Sequence, residues 1–155
     1  MDFRITGIDP EPYRHLFGLS DADLKKHGAL RYCVDETPGF PDRVEMRDGA
    51  IGETMLLINF ESQPAKTPYR ATHAIFVREG AQTAYSQINT VPEVMVRRIL
   101  SARGFDKHGM LLDADVVDGH SLVPVIKRLF ENSAISYLHV HNAKQGCYSG
   151  RVDRV

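Results

Sequence analysis

Several things are scarce in this chain, and each scarcity removes a class of function. There are only two cysteines, Cys33 and Cys147, with no CxxC pair, so neither a disulfide framework nor a zinc knuckle is on offer. Charge of one sign is missing too. The 19 basic and 20 acidic residues are interspersed and leave a net charge of −1, without the basic stripe of a nucleic-acid binder. The longest strongly apolar run, TMLLINF, spans residues 54–60. That is far short of the roughly 20 residues a membrane helix needs. The N-terminus MDFRITGIDP has no basic and apolar leader pattern. The expectation is a cytoplasmic protein with reduced thiols, without nucleic-acid or membrane partners.

Familiar catalytic signatures are also missing. There is no GxGxxG, no phosphate-binding GxxxxGK[ST], no HExxH and no GxSxG. Nothing names a cofactor, and the cofactor stays unknown. The motifs do not decide between an enzyme and a binding protein.

What is present fits one domain over residues 1–155, with 43% apolar and 25% charged residues. LSDADLKKHG reads as a short helix, with Ser20 as N-cap, Asp23 in the capping-box position and Gly28 as terminator. ALRYCVDE, ETMLLINFE, HAIFVRE and GMLLDADVVDG read as strands, with Cys33 in the core and a further short strand at RVEM. VPEVMVRRILSARG and HSLVPVIKRLFEN read as helices, and AISYLHVHN with CYSGRVDR as two closing strands. Strands outnumber helices without regular alternation. This predicts an α+β fold, a mixed, largely antiparallel sheet with three to four helices packed against it as a single layer pair.

The closing strands concentrate the reactive residue types. Alternation puts Tyr137, His139 and His141 on one face and Leu138 and Val140 on the other. A five-residue loop, Asn142 to Gly146, pairs His141 with Cys147, His139 with Ser149 and Tyr137 with Arg151. A four-residue loop pairs Asn142 with Cys147 and His141 with Tyr148, and would push Arg151 onto the apolar face. The five-residue loop keeps both faces consistent and is preferred.

Three readings of that face stay open. It is a solvated sheet face, or a small-molecule or catalytic site, or a metal site. In the second, Cys147 is nucleophile or redox thiol, with His141 and His139 doing acid-base chemistry. Arg151 and Arg70 then hold a small polar or anionic ligand, and Tyr69, His73, Asn142 and Tyr137 bind beside them. In the third, the His-x-His pair needs a third ligand, from Cys147, Asp113 or Asp115. A non-catalytic interaction module is the alternative to all chemistry. Arg43 and the adjacent pair Arg97 and Arg98 read as solvated side chains.

FRITGI, LSDADL, PGFPDRV, GETMLLINFESQPAKTPYRATHAIFVREG, FDKHGMLLDADVVDG and HNAKQGCYSGRVDRV together carry a family likeness. Over nearly its whole length the chain resembles the bacterial domain of unknown function (DUF) 1203 family. The resemblance implies a bacterial, stand-alone domain and carries over no catalytic residue. It also implies a cysteine where this chain has Asp42, a departure that counts against any function needing two neighbouring thiols.

Overall fold

The computed structural model describes residues 1–155. The α+β expectation is met, with the strands divided between two wholly antiparallel sheets. In chain order the elements are β1 (Phe3–Thr6), α1 (Asp21–Lys26), β2 (Leu30–Cys33), β3 (Thr54–Gln63), β4 (Ala71–Arg78) and β5 (Ser86–Ile88). There follow α2 (Glu93–Val96), β6 (Ile99–Phe105), β7 (Leu111–Asp118), α3 (Leu122–Glu131), β8 (Tyr137–Asn142) and β9 (Tyr148–Arg154). Six strands run in the order β5-β1-β9-β8-β6-β7, and the other three as β2-β3-β4.

Local chemistry explains the helices. Ser20 Oγ accepts the Asp23 backbone N–H at 3.1 Å, so α1 starts where its cap predicts. In α3, Leu122, Ile126, Leu129 and Phe130 recur at helical spacing and are all buried, with Pro124 in the first turn where its missing N–H costs nothing. That stripe packs on Leu138, Val140, Leu100 and Val152, forming a core on one side of the large sheet. The small sheet covers the other side, where Leu56, Ile58, Ile75 and Val77 form a second core with Tyr148.

Three expectations are corrected. The segment VPEVMVRRILSARG is not one helix: α2 ends at Val96 and Ile99–Phe105 is the central strand β6. Pairing on both sides, to β7 and β8, outweighs the helical propensity. Leu100 and Ala102 alternate inward, and at Gly104 a Cβ would stand 2.6 Å from Ile135 Cδ1, so glycine lets Ile135 seat against the strand. RVEM forms no strand, and only isolated bridges flank it, Pro41 with Asp48 and Asp42 with Phe76. Cys33 is exposed rather than core. No helix is long and apolar enough to cross a membrane.

Candidate functional site

The closing hairpin starts in the four-residue register considered above and then shifts by one residue into a register that neither loop gives. At the tip the loop has four residues, 143–146. Asn142 N–H donates to Cys147 O at 2.9 Å, and Gly146 N–H to Asn142 O at 2.7 Å, with Gly146 at φ 76°. His141 pairs with Tyr148, so Cys147 leaves the strand on Asn142's side and not on His141's. One step on, a bulge absorbs Ser149, and Val140 pairs with Gly150, His139 with Arg151 and Tyr137 with Asp153. The extra residue restores alternation, so Arg151 stays with the histidines. The expected pairs His141–Cys147, His139–Ser149 and Tyr137–Arg151 do not form.

The histidine face is not solvated either. His139 and His141 are each 4% exposed, closed between the two sheets. The His73 ring of β4 meets His141 edge-on at 4.9 Å, and His139 is ringed by Phe105, Tyr137 and Tyr148. Burial pushes His139 down to about 3, helped by the nearby charge of His141 and of Arg151. Burial takes His141 to about 4 against a hydrogen bond from its ring to Gly146 O that works the other way. Burial lowers His73 as well. These rings are therefore neutral at neutral pH and do not hold anions.

No group of three His, Cys, Asp or Glu is placed to hold a metal ion. Asp113 and Asp115 lie on the opposite face of the large sheet, because Arg103 pairs with both Ala114 and His139. There they accept from Arg128 of α3 at 2.9 and 3.1 Å.

Cys147 opens instead into a cleft of about 1010 Å³ between the 143–147 loop, β4 and the segment 36–43. Four cationic side chains line it, Arg43, Arg97, Arg98 and Lys144, against one carboxylate, Glu36. Leu57 and Phe76 supply an apolar wall, which continues outward through Phe40 to exposed Tyr32.

Arg43 is the centre of this arrangement. It is 2% exposed, not solvated as its position between turn residues suggested. Its Nε donates to Tyr148 O at 2.9 Å, Nη1 to Pro41 O at 2.6 Å and Nη2 to Cys147 Sγ at 3.0 Å. No carboxylate touches it. Burial opposes its charge, and the sulfur of Cys147 supports it. This guanidinium N–H ties the buried cation to the one cysteine that opens on the cleft. The neighbouring Asp42, at the position where a cysteine was implied, is wholly buried. Its carboxylate accepts the backbone N–H groups of Arg78 and Glu45, and burial raises its pKa.

Arg97 and Arg98 follow α2 directly, where the end of the helix turns into β6. Arg98 is tied to buried Asp48 at 2.6 Å, and Arg97 pairs with Glu93. Lys144 is exposed on the loop and makes no ion pair. Asn142 is 4% exposed and lines the cleft, with its Nδ2 3.6 Å from Cys147 Sγ and its Oδ1 without a partner.

Of the residues singled out from the sequence, His73, Asn142 and Cys147 line the cleft. Tyr137, His139 and His141 sit between the sheets, and Arg151 lies 4.0 Å over the Tyr137 ring and pairs with Asp153. Tyr69 packs edge-on to Phe105, and Arg70 pairs with Glu61 at the surface. Sequence reasoning passed over Arg43, Arg97, Arg98 and Lys144. Arginines crowded next to prolines or to each other were the available signal, and it was read as solvation.

Fold and cleft together define an α+β protein of two stacked antiparallel sheets with a cation-lined cleft ending on a cysteine. The chain belongs to the family described as protein of unknown function (DUF1203), whose model matches residues 39–154. No curated protein and no solved structure matches it.

Proposed function

We propose that this protein binds a small anionic molecule in the cleft beneath the 143–147 loop, with the sulfur of Cys147 beside the ligand. The observation that carries the reading is Arg43, a buried guanidinium with no carboxylate partner, directed at a half-buried thiol inside a cleft with a cationic majority. A buried cation without a fixed counter-charge is costly, and an anion in the cleft relieves that cost. Lys144, exposed and without an ion pair, draws the ligand in, His73 and Asn142 offer neutral hydrogen-bonding groups, and Leu57 with Phe76 receive its apolar part.

The test uses citrate, succinate and inorganic phosphate as probes. Saturating concentrations of the best of them raise Tm by about 3 °C and slow alkylation of Cys147, but not of Cys33, by iodoacetamide. The Lys144→Glu variant loses the protection. If no anion stabilises the protein or shields Cys147, the reading is wrong.

A further inference from the structure

We propose that Cys147 exchanges with small peptide-like disulfides that carry carboxylates, forming a mixed disulfide in the cleft; this rests on the anion-binding reading above. Three features combine. The attacking sulfur has Arg43 Nη2 at 3.0 Å. Arg97 and Arg98 are held by Glu93 and Asp48, which leaves Arg43 and Lys144 without ion pairs against the single lining carboxylate Glu36, a balance that selects an anionic reagent over a cationic one. The third feature is independent of the thiol. Asn142 lies in the cleft wall, 96% buried, with an acceptor oxygen that no group satisfies. A buried acceptor left open calls for a donor, and an amide N–H of a peptide-like ligand supplies one.

The step balances. The Cys147 thiolate attacks one sulfur of the disulfide and forms a new S–S bond. The old S–S bond breaks, and the released thiolate takes a proton from water. Cys147 is oxidised and half of the reagent is reduced. Cys33, the other cysteine, does not line the cleft, so no internal thiol resolves the adduct. A second small thiol must attack it and return the free Cys147.

The experiment treats the reduced full-length protein with oxidised glutathione, which is anionic and peptidic. Neutral hydroxyethyl disulfide and cationic cystamine serve as comparison reagents. Adducts are counted by intact mass and located by peptide mapping, and each rate is divided by that of free cysteine. Oxidised glutathione modifies Cys147 about tenfold faster than cystamine does, and about tenfold faster than it modifies the more exposed Cys33. Lys144→Glu removes most of that preference. Equal rates for the anionic and cationic reagents at Cys147, or equal labelling of Cys33, overturn the proposal. Citrate protection of Cys147 separates the two readings. Protection without selective adduct formation sinks the exchange alone, whereas absence of protection sinks the anion site beneath it.

Discussion

Replacing Arg43 by methionine removes three directed hydrogen bonds at once and leaves the carbonyls of Pro41 and Tyr148 without their donors. The expected loss is about 3 kcal/mol of stability, measured by urea unfolding. Arg43→Lys keeps the charge but not the fork, so it restores part of the alkylation rate of Cys147 and little of the stability. A merely structural Arg43 would move stability and leave that rate alone. The buried histidines make a second prediction. The folded values for His139 and His141, about 3 and about 4, lie below the usual value near 6.5. Between those values the unfolded chain binds more protons than the native state, so stability falls as pH falls. Tm should drop by about 5 °C from pH 7 to pH 5. Arginine partners hold Glu53 and Glu79 down at about 2, so these two stay ionised through that window, whereas buried Asp42, whose pKa is raised, works against the drop. His139→Phe keeps a ring in the aromatic nest and cannot take up a proton, so its acid-induced drop should be visibly smaller in the same melts.

At the scale of elements, the cleft depends on how α2 turns into β6. Gly119, just after β7, is packed directly against the carbonyl oxygens of Met95 and Val96, and its N–H donates to Arg98 O at 2.9 Å. A methyl group there would collide with backbone, which cannot swing aside. Gly119→Ala should cost about 2 kcal/mol and shift Arg97 and Arg98, read as a lower urea midpoint and weaker citrate protection of Cys147. The elements legible in the sequence were those with a local cause. Ser20 capped α1, and the stripe of Leu122, Ile126, Leu129 and Phe130 declared α3. The face shared by Tyr137, His139 and His141 was also readable, because alternation is local. What escaped had distant causes. β6 is a strand because β7 and β8 flank it, whereas its own residues continue a helical pattern. The pairing of Cys147 depended on a bulge at Ser149, which moves the register by one residue without disturbing the alternation on either side. Arg43 is buried by segments from three parts of the chain, and nothing adjacent to it in sequence announces that.

At the scale of the whole molecule, the two cores share a strand. β9 gives Val152 to the core beneath α3 and Tyr148 to the core between the sheets, while Gln63 Nε2 donates to Tyr137 OH at 2.8 Å across the same gap. Unfolding should therefore be one transition, with far-ultraviolet circular dichroism and tyrosine fluorescence giving the same urea midpoint. The shared strand also sets the smallest piece that folds. The family match begins at residue 39, but β1 lies at residues 3–6, inserted between β5 and β9. Removing residues 1–38 takes away Phe3 and Ile5, 1% and 0% exposed, and strips β9 of one partner from Arg151 to Arg154. It also removes Leu24 of α1 from the second core and β2 from the edge of the small sheet. Deleting two buried large side chains from one core costs about 2–5 kcal/mol each. That rivals the entire stability of an ordinary domain, about 5–15 kcal/mol. A chain of residues 39–155 should accordingly bind a hydrophobic dye, lose the cooperative urea transition and leave Cys147 and Cys33 equally reactive. If that fragment instead melts cooperatively and keeps selective anion protection at Cys147, the strand beside β9 is dispensable and the cleft is held by the 39–154 segment alone.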